Sequence, residues 1–109
     1  MMTFTTLKWM ILCELKEQED NLHSLHVENK EEVIERLIEP EWQYFSNFSD
    51  EIRGYWIVWD ECPSDPSTGY LIVYSEKDEL FGLATKPRQE KAGFLLGLYG
   101  SFVDVLNNM

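Results

Sequence analysis

Basic residues, histidine and cysteine are scarce in this chain, and each scarcity excludes something. Nine Lys and Arg stand against twenty Asp and Glu, giving a formal charge of −11 over 109 residues. That charge repels phosphate backbones and anionic lipid surfaces, so direct nucleic-acid or membrane binding is disfavoured. Two cysteines, Cys13 and Cys62, are too few for a disulfide framework. Residues 1–15 lack the basic start, apolar stretch and cleavage site of a secretory leader, so a cytoplasmic address with reduced thiols is expected. Cys13 lies in an apolar run and reads as a small core residue, whereas Asp60, Glu61 and Asp65 beside Cys62 hinder thiolate formation. No uncharged run approaches the length of a bilayer span.

Motifs for chemistry are missing too. His23 and His26 share a face only in a helix, and two ligands without a third make a poor metal site, so no metal is expected. Asp60, Ser64 and Asp65 have the composition of a calcium loop without its glycine and terminal glutamate at the required positions. None of the serines sits in a Gly-x-Ser-x-Gly context. Gly93, Gly97 and Gly100 match neither phosphate-binding spacing. Carboxylates abound, but abundance on an acidic surface assigns no acid or base. Accordingly no catalytic residue and no cofactor are expected.

What the chain does have is apolar and aromatic mass: 44% hydrophobic residues, with four Trp, five Tyr and six Phe. A chain of this length and content is expected to form one domain over residues 1–109 with a single modest core. Its centre is the stretch from Gly54 to Thr85. There Tyr55 to Trp59, Tyr70 to Tyr74 and Leu80 to Thr85 form short runs rich in β-branched and aromatic residues, separated by polar breaks. The connections at 61–68 and 76–79 are too short or too proline-rich for a crossover helix, which predicts antiparallel pairing. Both faces of these strands are apolar, as in strands covered on both sides or carrying an aromatic binding surface.

Flanking segments complete the expected architecture. Leu7, Trp9, Ile11, Cys13 and Leu15 alternate with their neighbours and predict a strand over Phe4 to Lys16, with a helix through Leu7, Met10, Ile11 and Leu15 as the alternative. Leu22 to Val27 is read as a returning strand. Asn29 caps a helix in which Glu32 suits a capping box, Val33, Ile34, Leu37 and Ile38 form the apolar stripe, Glu32 pairs with Arg36, and Pro40 is the stop. Trp42 to Phe48 fits one helical turn or a short strand. Beyond the basic connection Lys86, Pro87 and Arg88, the segment from Glu90 to Asn108 reads as a long helix carrying three glycines. The alternative is a strand over Phe94 to Tyr99 followed by a helix over Ser101 to Met109. The expected fold is therefore α+β, an antiparallel sheet of four to five strands with two main helices, in the order β-β-α-β-β-β-α.

Small size, acidity and the lack of a catalytic motif are shared with intracellular inhibitors such as the immunity proteins of bacterial toxins, which neutralise basic nucleases. By that class-level analogy the chain is expected to be a non-enzymatic protein-binding domain. Asp60, Glu61, Asp65 and the acids of the helix after Asn29 would face a basic partner, with Trp42 or Tyr44 as aromatic anchors. A homodimer through the last helix is a plainer version. The rival expectation is a small-ligand pocket between the aromatic strands and the C-terminal helix.

Overall fold

The structure, a computed structural model, describes residues 4–23, 27–87 and 92–109. Helix α1 spans Phe4–Glu17, a 3-10 turn follows at Glu19–Asn21, and a short helix α2 spans Lys30–Glu35. Five strands come next: β1 Leu37–Ser46, β2 Ile52–Asp60, β3 Tyr70–Ser75, β4 Leu80–Thr85 and β5 Gly93–Gly100. Helix α3, Phe102–Asn107, ends the chain. The α+β class stands. The order differs from the expected one, because every strand lies between the helices.

Each strand pairs antiparallel with the next in sequence, and the sheet closes into a barrel where β1 meets β5. Directions alternate along such a meander, so first and fifth strands run the same way and the closing pair is parallel. That seam is short, matching Phe45 with Gly93 and Ser46 with Phe94. Closure sorts the apolar residues into two cores. Phe45, Tyr55, Ile57, Leu71, Val73, Ala84 and Leu95 come from all five strands and from no helix, and they fill the interior. The outer core joins Val58, Trp59, Ile72, Tyr74, Phe81 and Leu83 of the strands to residues of all three helices. Leu7, Ile11 and Leu15 of α1 and Phe102, Val105 and Leu106 of α3 supply most of that helical cover, each almost wholly buried.

Trp59 anchors the outer core. Its ring is fully buried, its Nε1 donates to the carbonyl of Val33 at 2.9 Å, and the Arg36 guanidinium lies 6.0 Å from the ring centre. Burial with its one polar atom satisfied ties α2 to the barrel. Caps hold the short helices. Asn29 accepts from the backbone N–H of Glu32 at 3.0 Å, as expected, although Glu32 reaches back to the N–H of Glu28 at 2.6 Å instead of that of Asn29. Glu32 also pairs with Arg36 at 3.1 Å. At α3, Ser101 and Asp104 form a capping box, and Glu14 of α1 accepts from the N–H groups of Phe102 and Val103 at 3.1 and 2.6 Å. Orphan amides at a helix start are thus satisfied from an element nearly ninety residues away.

Five expectations are corrected. Residues 4–17 are helical, not a strand: the buried set Leu7, Ile11 and Leu15 has helical spacing, while Trp9 of the alternating pattern is 68% exposed. The returning strand over 22–27 falls partly outside the described residues, and Leu22, His23 and Val27 are not in strands. Helix α2 stops at Glu35, and Leu37 and Ile38 belong to β1, which settles Trp42 to Ser46 as strand. Pro40 does not end a helix; it sits where the β1 and β2 register shifts between Leu37 and Glu41, a place that tolerates its missing N–H. The long C-terminal helix is absent. Gly93–Gly100 is a strand, and only the last turns are helical, as in the alternative reading.

A glycine closes the barrel. A Cβ on Gly93 would stand 2.4 Å from the carbonyl oxygen of Thr85 and 2.7 Å from the Phe45 ring, one neighbour being backbone and the other the fully buried seam residue. Gly97, on the same strand, would first meet the Tyr99 side chain at 3.4 Å, an ordinary van der Waals distance. Gly93→Ala is therefore expected to lower unfolding free energy by about 2 kcal/mol or more, the range for overpacking a tight site. Gly97→Ala is expected to change it by under about 1 kcal/mol. Urea denaturation of both variants checks the contrast, and equal losses would remove the seam as a close contact.

Candidate partner-binding surface

Outer-face side chains of β1 and β2 are set by register. Trp42 stands opposite Trp56, Tyr44 opposite Gly54 and Ser46 opposite Ile52. Gly54 has no Cβ, and a Cβ there would lie 2.1 Å from Trp42 Cζ2, so the indole occupies the space that a side chain would need. Trp42 then meets Trp56 edge-on at 5.1 Å and Tyr44 edge-on at 6.2 Å. The cluster is fixed yet open: Trp42 is 43% exposed, Tyr44 57% and Ile52 68%.

Beside it the sheet splays. Pairing of β2 with β3 begins only at Trp56 and Tyr74, so residues 52–55 diverge from the β3–β4 turn. The wedge between them is a cavity of about 340 Å³ whose walls include Trp42, Tyr44, Ile52 and Tyr55. Arg53, Lys77 and Asp78 supply its polar rim. Arg53 donates to Glu51 at 2.8 Å, which holds the Glu51 carboxyl below its ordinary range and raises the guanidinium. Tyr55 stands at the base, its phenol pushed up by burial.

The anticipated acids lie elsewhere, at the far end of β2. Asp60 accepts from the N–H of Cys62 at 3.0 Å and pairs with Lys86 at 2.8 Å. Glu61 accepts from the N–H of Tyr70, and Asp65 accepts from the N–H and hydroxyl of Ser67. Those Ser67 bonds, with one from Thr68, hold the Asp65 carboxyl below its usual range. Lys86, with its side chain only 6% exposed, completes the loop by donating to the carbonyls of Cys62 and Asp65 at 2.7 and 2.5 Å. Three donors meet three acceptors, so this ammonium is saturated. The expected set thus splits in two: Trp42 and Tyr44 come together, and Asp60, Glu61 and Asp65 are committed to the fold of the β2–β3 loop. That loop does adjoin α2, since the N–H of Asp60 donates to the Arg36 carbonyl at 3.1 Å.

Other anticipated features place as follows. Cys13 and Cys62 are free and half-buried. His26, Arg88 and Lys91 lie outside the described residues. Phe102, Val105 and Leu106 of α3 pack inward on the barrel. Among the described residues no three metal-capable side chains gather, and no helix is long and apolar enough to cross a membrane. Ile52, Arg53 and Lys77 were not anticipated. A glycine inside a strand pattern was the signal, since it marks close approach, and its cross-strand partner is an aromatic run. Compared with protein-family models, curated proteins and solved structures, the chain matches none.

Two measurements probe these assignments. Lys86→Met removes one partner of a buried pair and leaves Asp60 and two carbonyls without their donor, so a loss of about 3 kcal/mol in urea unfolding is expected. Tyr55 and Tyr74 are both raised by burial. Their stabilisation is complete below the unfolded tyrosine value near pH ~10 and is lost as pH rises through the folded values. Urea midpoints should fall above about pH 10 in step with tyrosinate absorbance, and Tyr55→Phe should flatten that decline.

Proposed function

We propose that the protein is a non-enzymatic protein-binding domain for a basic partner, with Trp42, Tyr44 and Ile52 as the contact that anchors it. The observation that carries this reading is the exposure of those three at one end of the β1–β2 pair, while Tyr55 and Trp59 of β2 are buried. Large rings held rigid but left open have the composition and low ordering cost of interface hot spots. A contiguous apolar patch with a polar rim marks interaction surfaces generally.

Charge supplies the second half of the reading. A net −11 steers a cationic protein toward the domain before any contact forms. Glu31, Glu35, Glu39 and Glu41 are exposed along α2 and the start of β1, next to the loop of Asp60 and Glu61. An inhibitor of a basic toxin, on the pattern of the immunity proteins, is the sharpest form of the proposal. It needs no reaction chemistry from the chain.

Affinity capture from native extract at low and high salt tests it. The expected result is one basic protein, released by salt, whose capture weakens about thirtyfold with Tyr44→Ala or Trp42→Ala, the size of a hot-spot loss. Tyr44 is more than half exposed, so its variant is expected to unfold at the parent urea midpoint. Undiminished capture by both variants, or recovery of the bait alone, contradicts the proposal.

A further inference from the structure

A second recess opens on the other face of β1, at the mouth of the barrel. The parallel seam with β5 covers only Phe45 and Ser46 of that strand among the described residues, so residues 38–43 border an opening. The opening is a groove of about 390 Å³. Its floor is the end of the barrel interior, Ile38, Ile57 and Leu71, and Pro63 and Pro87 are among its walls. Proline rings are rigid and lack an N–H donor, so those walls are apolar and of fixed shape.

Three charged side chains reach this groove: Glu41, Asp60 and Lys86. Asp60 and Lys86 neutralise each other at 2.8 Å, and the three ammonium donors of Lys86 are already used. Among the described residues an anion therefore finds no free cation in the groove. Glu41 is exposed and makes no ion pair among the described residues, and it places a carboxylate beside an apolar floor.

We propose that this groove receives a long basic side chain, lysine or arginine, from the partner. Such a side chain lays an aliphatic stem on apolar surface and keeps its charged head at a polar lip, here Glu41. The proposal rests on the protein-binding reading and names the partner's chemistry at a distinct recess. Since Glu41 and Trp42 are neighbours with opposite facing on one strand, a partner segment passing the edge of β1 reaches both.

The test uses the full chain labelled with nitrogen-15 and titrated with N-acetyl-arginine methylamide, its citrulline counterpart and its norleucine counterpart. The expected result is saturable amide shifts at Ile38, Ile57 and Leu71 with the arginine probe, weakened about fivefold to tenfold by Glu41→Gln and to a similar degree by citrulline. Glu41 is exposed, so the variant's unshifted spectrum elsewhere reports an intact fold. Equal binding of citrulline, indifference to Glu41→Gln, shifts scattered outside the groove, or no saturation would each overturn the proposal. The readout is at Ile38, Ile57 and Leu71 and not at Trp42 or Tyr44, so its failure is distinguishable from failure of the capture experiment.

Discussion

The contact of Gly93 with Phe45 and the Thr85 carbonyl is the constraint on which the rest of this structure depends. Five strands paired in chain order form a sheet with two free edges, and only the approach of β5 to β1 removes them. Once the edges meet, one face of every strand is inside. Phe45, Ile57, Val73 and Ala84 then face each other across a narrow interior, and the neighbours Val58, Ile72 and Leu83 must find cover outside. Helices α1 and α3 provide that cover, joined to each other through the Glu14 carboxylate at the start of α3.

The cover is incomplete by construction. The helices pack on Val58 and Trp59 of β2, Ile72 and Tyr74 of β3 and Phe81 and Leu83 of β4, while Trp42, Tyr44 and Ile52 of the β1–β2 pair stay exposed. Packing against Gly54 fixes the Trp42 indole without burying it. At the opposite end of β2 the polar residues serve a different purpose. Lys86 draws Asp60 and two loop carbonyls onto one ammonium, which shapes the proline-bearing loop and the mouth of the barrel. The two ends are thus unlike: an open aromatic wedge at one, a saturated polar clip beside an apolar groove at the other.

Much of this was legible in the sequence, and the failures have physical causes. β2, β3 and β4 follow from alternation between turn residues, and the Asn29 cap follows from side-chain chemistry that acts within one helical turn. Residues 7–15 satisfy both the period of a strand and that of a helix, because Trp9, Met10 and Leu12 are apolar without being in the buried stripe. Burial of Leu7, Ile11 and Leu15 decides the matter, and burial is a property of the whole fold. Pro40 read as a helix stop because a bulge in β1 cannot be inferred from one residue. The closing seam joins positions about fifty residues apart through a glycine, which carries no apolar pattern.

The candidate site shows the same division. Trp42 and Tyr44 stood out as aromatic residues near a polar stretch, and the register places them together. Asp60, Glu61 and Asp65 stood out as acids, yet hydrogen bonds to nearby N–H groups and to Lys86 commit them to the loop. Composition marks a carboxylate; only three-dimensional neighbours show whether it is already occupied.

Closure of the barrel is the claim from which the inner core, the outer core and the bare aromatic face all follow. An NOE spectrum of labelled protein tests it most directly, between the Phe45 ring and the Gly93 α protons. Strong cross-peaks there, with slow exchange of amides along β1 and β5, are the predicted result. Absence of those cross-peaks in a folded protein whose other strand pairings are intact would mean an open sheet, and the division into two cores would fall with it.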